Sequence, residues 1–302
     1  MTAVPPGDDH VFLIGRPPIG EFLGFIRTMS VDGQNVDQGK LADEWRQAND
    51  HVNALEKAEA GIADDVAVSP LPEALQLLTE QVRNEPSFQT NFRMIPTEFG
   101  IIELDRLVVY QKFINLGFVG IIKSTFPEKP TEVDVARLAF GIDRPNAEIK
   151  QMQLGNTFGF LSTSNDFRVL DTAILQPQQV LMSPNGRPVA YVTVAIGFSS
   201  NLFNVASIEG RLVLHNGSHR AYFLREMGVT HAPCVVQRVT RRDELEFLGG
   251  EVQQNPDRYL KAVRPPLLKD YFDPKLRKVV TVAKKNRSVR VQLGFEQIDV
   301  PA

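Results

Sequence analysis

The side chains best suited to binding an oxyanion are concentrated in one short stretch, formed by Asn216, Gly217, Ser218, His219 and Arg220. Hydroxyl, imidazole and guanidinium groups donate hydrogen bonds to phosphate oxygens, and arginine can donate two parallel ones. Glycine allows a tight turn and lets an anion approach the main chain closely. The stretch therefore predicts a phosphate-binding turn.

The flanking sequence predicts the elements that hold this turn. Residues 211–215 read as a strand, residues 219–227 as a helix ended by Gly228, and residues 234–239 as a second strand. The first N–H groups of a helix have no intrahelical partner, and the helix dipole is positive at that end. A helix that starts directly after Gly217 is therefore expected to offer an anion-binding N-terminus.

The order of strand, Gly-x-His-Arg, helix, glycine and Ala-Pro-x-x-Val resembles the ParB/sulfiredoxin-like superfamily over residues 212–239. A weaker likeness extends over residues 101–119, so that about a quarter of the chain is covered. The resemblance implies a mixed sheet and a nucleoside di- or triphosphate, bound with Mg²⁺, whose phosphates lie on residues 216–220. It predicts a nucleotide- or phosphate-binding protein that acts as a sensor or switch.

The chain departs from that family at Ser218. Sulfiredoxin has its catalytic cysteine at this position, ParB a glutamate and the related free-serine kinases a histidine. A serine hydroxyl is a weak nucleophile without an adjacent base, so sulfinic-acid reduction is not expected. Residues 240–302 contain prolines and strand-like stretches in place of a helix-turn-helix DNA reader, which argues against a ParB-like partition role.

Two alternatives remain open. The first is a small-molecule phosphotransferase or NTPase using ATP or ADP, in which Glu103 or Asp105 positions an acceptor hydroxyl as the catalytic carboxylate. The second is a protein-interaction module with a vestigial nucleotide site, whose N-terminal helices bind a protein partner.

Two further clusters have plainer explanations. His215, His219, His231 and Cys234 lie close in sequence, but spacing alone does not bring four zinc ligands together, so we expect no metal site. Residues 261–290 contain ten Lys or Arg and two Asp. This stretch could contact nucleic acid, but a solvated basic face is the favoured interpretation.

The alternation of strands and helices predicts an α/β (or α+β) protein in three segments. Residues 1–91 read as a loop-rich arm and a helical cover, with one helix at 41–60 and another that Ser69 caps. Residues 92–245 form the nucleotide-binding domain, with a helix from Asp105 to Gly117, a strand at 118–122 and a helix or loop at 199–207. Residues 246–302 form a basic extension with a β-hairpin, made by strands at 278–283 and 288–295.

The amino-acid composition excludes several classes of protein. The chain has 302 residues, a hydrophobic share of 43% and a net charge of −3, which is enough for a packed core and argues against a generic nucleic-acid binder. Its one cysteine, Cys234, excludes an intrachain disulfide and fits a reducing compartment. The N-terminus lacks the basic region of a secretory signal, and the apolar residues 11–26 are interrupted by Arg16 and Glu21. We therefore expect a cytoplasmic protein without a membrane partner.

Overall fold

The computed structural model describes residues 7–33, 35–142, 147–164, 166–181, 185–198 and 201–301. Helices and mixed sheets alternate along these residues, which confirms the α/β or α+β class. The strands are β1 (Gly7–Leu13), β2 (Thr97–Glu103), β3 (Phe113–Asn115), β4 (Ile149–Leu154), β5 (Thr157–Ser162), β6 (Phe167–Leu175), β7 (Tyr191–Phe198), β8 (Asn204–Ile208), β9 (Arg211–Asn216), β10 (His231–Arg238), β11 (Arg277–Ala283) and β12 (Arg287–Gln292).

The α-helices are α1 (Ile19–Met29), α2 (Gln38–Ala58), α3 (Gln76–Asn84), α4 (Pro86–Asn91), α5 (Leu116–Thr125), α6 (Glu132–Ala139), α7 (Ser218–Glu226), α8 (Gly250–Gln254) and α9 (Pro256–Leu260). Short 3-10 turns occur at Glu73–Leu75, Leu104–Arg106, Pro177–Gln179, Arg242–Phe247 and Leu268–Phe272.

Two compact units divide the chain, the first made of Met1–Asp143 with Asn201–Lys284 and the second of Arg144–Ser200 with Lys285–Ala302. These boundaries differ from the predicted divisions at residues 91 and 245. The second unit contains the sheet β12-β5-β4 and the antiparallel pair β6-β7. The first unit holds the predicted phosphate turn and is the one that positions it.

A four-stranded sheet of order β2-β10-β8-β9 forms the centre of the first unit. β10 runs parallel to β8 and antiparallel to β2, while β8 and β9 are antiparallel. The helix α7 connects β9 to β10, and five of its residues besides Ser218 are buried: Arg220, Ala221, Tyr222, Phe223 and Leu224. The predicted strand–turn–helix–strand unit is therefore confirmed, with its helix inside the core.

A second sheet, of order β11-β1-β3, corrects the predicted N-terminal arm. β1 is its central strand, paired antiparallel with both neighbours, and its residues Val11 and Phe12 are almost completely buried. The helices α1 and α2 pack beside this sheet through Phe22, Ile26 and Leu41. The N-terminal segment is therefore part of the core of the first unit rather than a cover laid over it.

Two element predictions in the stretch after β2 are wrong. The predicted helix from Asp105 to Gly117 is a 3-10 turn, an extended stretch and β3, and the predicted strand at residues 118–122 lies in α5. Asn115 explains the shift, because its side chain accepts a hydrogen bond from the Phe118 N–H and so caps α5. Short apolar runs such as 118–122 fit a buried helix as well as a strand.

Other boundaries also differ from the prediction. Ser69 is not a helix cap: it forms a β-bridge with Ile101, and the helical region begins at the 3-10 turn Glu73–Leu75. The predicted helix or loop at 199–207 ends in the strand β8, with residues 199 and 200 outside the described part of the chain. The predicted C-terminal β-hairpin is wrong, because β11 pairs with β1 whereas β12 pairs with β5.

Candidate functional site

The turn between β9 and α7 has the backbone that its sequence predicts. Gly217 is left-handed, with φ +96°, and it precedes a helix that has no side-chain cap and no acidic residue in its first turn. The open side of Gly217 is occupied, since a Cβ there would lie 3.0 Å from the Cα of Phe203. The glycine is therefore required by the turn and by the approach of Phe203.

Arg220 has a different role from the one predicted. Its Nη1 donates to the carbonyl oxygens of Leu138 (3.2 Å), Ala139 (2.9 Å) and Asn201 (2.5 Å), and its Nη2 donates to Asn201 Oδ1 (2.7 Å). The residue is 5% exposed. Carbonyl oxygens at the C-terminus of a helix attract a cation. Arg220 thus connects the end of α6 to the segment before β8. Its guanidinium nitrogens bind the protein and do not face a phosphate.

His219 is also engaged by the protein. Its Nε2 accepts a hydrogen bond from the Asn115 N–H at 3.0 Å, and its ring meets Phe118 edge-on. Burial, with a smaller contribution from the positive charge of Arg220, lowers the pKa of His219 to about 4. The imidazole is neutral at pH 7 and anchors β3, which corrects its predicted role as a phosphate donor.

Asn216 and Ser218 occupy the two sides of the turn. Asn216 ends β9 opposite Asn204, and it is half-buried, whereas Ser218 is 6% exposed. Just before the turn, the Tyr110 hydroxyl donates to the carbonyl oxygen of His215 at 3.2 Å. Burial lowers the pKa of His215 to about 4. Asn216, Ser218 and the His215 imidazole are therefore uncharged at pH 7.

The candidate catalytic carboxylates lie at the other end of α7. Asp105 forms a bidentate pair with Arg225, at 2.5 and 3.1 Å, and Glu103 faces His231 across the β2–β10 pair. Ser218 and Arg225 are separated by about 10 Å along the helix axis, given a rise of 1.5 Å per residue. The structure does not bring Glu103 or Asp105 to the turn, and Asp105 serves as the ion-pair partner of the last turn of α7.

The histidines and the cysteine considered for zinc are dispersed. His215 ends β9, His219 contacts β3, and Cys234 is fully buried in β10, where burial raises the pKa of its thiol. No group of three or more His, Cys, Asp or Glu that could hold a metal ion is found among the described residues.

The helices considered as a partner surface turn their apolar sides inward. In α2, Leu41, Ala48 and Val52 are buried, and the Trp45 indole donates to the Pro17 carbonyl at 2.9 Å. In α3, Val82 is buried and Leu77 is exposed. The described part of these helices therefore offers a single exposed leucine rather than an apolar patch.

Much of the basic C-terminal stretch is used inside the first unit. Arg264 is buried against Asp270, Lys269 pairs with Glu59, and Lys284 pairs with Asp8. Such pairing reduces the positive charge that this stretch offers to a polyanion.

Sequence reasoning missed Arg16, which lines a cavity of about 30 Å³ in the first unit. Its Nε and Nη2 are buried and have no hydrogen-bond partner among the described residues. The only local signal is its place between Gly15 and two prolines directly after an apolar strand. That context predicts a rigid backbone but not where the guanidinium points.

Two further findings concern the chain as a whole. Among the described residues, every helix is too short or too polar to cross a membrane. A scan against protein-family models, a search of curated proteins and a search of solved structures each find no match to this chain.

Proposed function

We propose that this chain binds a nucleoside di- or triphosphate, or another phosphate-bearing ligand, at the N-terminus of α7. The main-chain N–H groups of the first helical turn would be the donors, with the Ser218 hydroxyl beside them. Arg220 is not part of this contact. The proposal describes a sensor or switch, because it assigns no catalytic group to the turn.

One observation carries the proposal: α7 starts directly behind left-handed Gly217 with neither a side-chain cap nor an acidic residue in its first turn. In most helices a side chain such as Asp or Ser satisfies the first N–H groups. Without such a cap, these donors and the positive end of the helix dipole favour an anion. The resemblance of residues 212–239 to the ParB/sulfiredoxin-like superfamily, where phosphates lie on this turn, adds support.

The phosphotransferase alternative has lost its geometric support. It needs a carboxylate near the turn, but Asp105 is paired with Arg225 at the opposite end of α7. A positioned base must lie within about 3 Å of the proton that it abstracts, directly or through one water. We therefore do not propose phosphoryl transfer by Glu103 or Asp105.

A vestigial nucleotide site is the second candidate. The packing of Phe203 against Gly217 favours it, as do the bonds between Arg220 and Asn201. In this alternative the turn is a structural connection, and the protein's own side chains occupy the place of a ligand.

Calorimetric titration of the full chain with ATP, ADP, CTP and GTP, each with Mg²⁺, separates the two candidates. We expect a dissociation constant below the millimolar range for at least one nucleotide. Asn216→Asp should weaken that binding by roughly ten-fold or more, because it places a negative charge beside the phosphates. Asn53→Asp, on the exposed side of α2, is the matched control and should leave the affinity unchanged.

Two results would end the proposal. One is that none of the four nucleotides binds more tightly than about millimolar. The other is that Asn216→Asp and Asn53→Asp weaken binding equally while both variants keep the melting temperature of the parent chain. Either result leaves the vestigial site as the better description.

A further inference from the structure

The second unit exposes a large share of apolar side chains. Most of the exposed large apolar side chains among the described residues belong to it, although it is the smaller of the two units. Val192 of β7 is 77% exposed, and Ile174, its cross-strand neighbour on β6, is 70% exposed. Apolar side chains that lie exposed side by side mark surfaces at which proteins associate.

The β6-β7 pair is a sheet of only two strands. Such a pair is marginally stable in water, and further strands with an apolar face stabilise it. Within the described part of the chain, β7 pairs with β6 alone and no isolated β-bridge involves it. Alternate main-chain N–H and C=O groups of a strand point to its two edges. Over residues 192–197 the outer edge of β7 can therefore receive another strand.

β7 lacks the features that keep edge strands from pairing with other chains. Charged side chains, proline, bulges and short length are such features. Residues 191–198 read Tyr-Val-Thr-Val-Ala-Ile-Gly-Phe, without a charge or a proline. Its partner β6, by contrast, has Arg168 and Asp171 and an irregularity in register between Val169 and Asp171.

The other edge strands of the four sheets are blocked in one of these ways. β3 is three residues long. Charged side chains occur on the longer ones: Glu98 and Glu103 on β2, Lys150 on β4, Arg211 on β9, Arg277 and Lys278 on β11, and Arg287 and Arg290 on β12. In the ranges that the structure describes, β7 is therefore the one long edge strand without a charge.

The absence of charge makes β7 compatible with a second copy of itself. Two antiparallel copies of one strand are related by a two-fold axis perpendicular to the sheet, so both copies use the same surface. A residue near this axis lies opposite itself or a close neighbour, and a charge there would meet its own sign. β2 and β12 would repel their copies in this way, whereas β7 would not.

The same axis aligns the apolar faces of the two copies. Val192, Val194 and Ile196 alternate along one face of β7, and Val169 and Ile174 lie opposite Ile196 and Val192 on β6. Because the axis is perpendicular to the sheet, this face of one copy continues into the same face of the other. Pairing therefore joins two small apolar faces into one.

We propose that two copies of this chain associate through their β7 strands, which pair antiparallel along residues 192–197 and form a four-stranded sheet of order β6-β7-β7-β6. The interface lies in the second unit. It does not involve the α7 turn, so it is independent of the proposed phosphate site.

Sedimentation of the full chain at several concentrations tests the association. We expect a reversible dimer with a dissociation constant in the micromolar range. Ala195→Lys should weaken it by about five-fold or more, because Ala195 is exposed near the centre of β7 and the two lysines would meet close to the axis. Ala195 lies opposite Asp171, so a lysine there is compatible with the β6-β7 pair itself.

Ile174→Lys is the matched control. It adds the same charge at an exposed position of the same two-stranded sheet, but on β6, one strand away from the interface. It should leave the dissociation constant unchanged. Circular dichroism of both variants checks that each retains the fold of the parent chain.

Hydrogen exchange provides a second measurement, on the unmodified chain. The main-chain N–H groups of β7 that point to its outer edge should exchange more slowly as the protein concentration rises, because pairing withdraws them from water. The edge strand β4, which has Lys150, should exchange at the same rate at every concentration.

Three results would overturn the proposal. The first is a chain that stays monomeric up to the hundred-micromolar range. The second is a dimer that Ile174→Lys weakens as much as Ala195→Lys does, which indicates contact through the apolar face rather than the strand edge. The third is exchange in β7 that does not depend on concentration.

Discussion

At the scale of single residues, Arg220 has the largest change of interpretation. The sequence places it in the first turn of α7, where a guanidinium would face a phosphate. In the fold it spans the last carbonyls of α6 and the Asn201 segment, and its charge compensates the negative end of α6. Its contribution is therefore expected in folding stability rather than in ligand affinity.

Arg220→Ala should lower the free energy of unfolding by about 2–4 kcal/mol, because it leaves several buried carbonyl oxygens without their charged donor. Arg220→Lys should recover part of this loss, since a single ammonium cannot reach all of the same oxygens. Chemical denaturation measures both. Arg46→Ala, which removes an exposed arginine that pairs with Asp43 in the same helix, is the control and should change stability by less than about 0.5 kcal/mol. Equal losses in Arg220→Ala and Arg46→Ala would contradict the structural role.

At the scale of elements, α7 is joined to β3 and α5 at a single junction. His219 on α7 accepts the Asn115 N–H from the end of β3, and the Asn115 side chain caps α5 through the Phe118 N–H. The acceptor at His219 Nε2 must be unprotonated. The junction is therefore sensitive to pH.

Stability should fall as the pH falls from about 6.5 towards 4. The pKa of His219 is lowered to about 4 in the folded chain, whereas the unfolded chain binds the proton near the usual value of 6.5. Between these values the unfolded state holds more protons, so acid favours unfolding, by up to about 3 kcal/mol for one histidine. His219→Gln keeps an acceptor and removes the titration.

Denaturant melts of the parent chain and of His219→Gln, taken at several pH values between about 4 and 7, check this expectation. The stability of His219→Gln should decline less steeply than that of the parent. His231→Gln, at an exposed position, should decline as the parent does. Parallel curves for the parent and His219→Gln would contradict the role of this imidazole. His215 is present in every variant and contributes equally to each curve.

At the scale of the whole molecule, a buried ionic network links distant parts of the chain. Arg264, 1% exposed, binds Asp270 through both Nη atoms, at 3.0 and 2.5 Å, and donates from Nε to Glu59 at 2.8 Å. Glu59 ends α2 and also pairs with Lys269. The network connects the N-terminal helices to the C-terminal part of the first unit.

Asp270→Asn should lower the free energy of unfolding by about 3–5 kcal/mol, because it leaves the buried charge of Arg264 with only Glu59 as an anionic partner. Asp243→Asn removes an exposed partner of Arg241 and should cost less than about 1 kcal/mol. Urea denaturation of both variants checks the difference. Similar losses of unfolding free energy in Asp270→Asn and Asp243→Asn would contradict a stabilising role for this network.

Local patterns in the sequence determined the strand–turn–helix–strand unit around Gly217. Three signals depend only on neighbours in the chain: the alternation of apolar residues, a glycine at a left-handed position and the glycine after the helix. For this reason β9, α7 and β10 were predicted close to their observed bounds. The same local rules missed α5, because an apolar run at 118–122 suits either element until Asn115 caps it.

Only the tertiary structure decided which groups meet at the site. Arg220 meets Leu138 and Asn201, and Asp105 meets Arg225, across separations in the chain that no periodicity encodes. Likewise β1 pairs with β11 from the far end of the chain, and this places Arg16 beside its cavity. The sequence by itself determined backbone geometry at the turn, since that depends on steric freedom over a few residues. The direction and partners of the charged side chains followed from packing, since burial requires each of them to find an oxygen wherever the fold brings one.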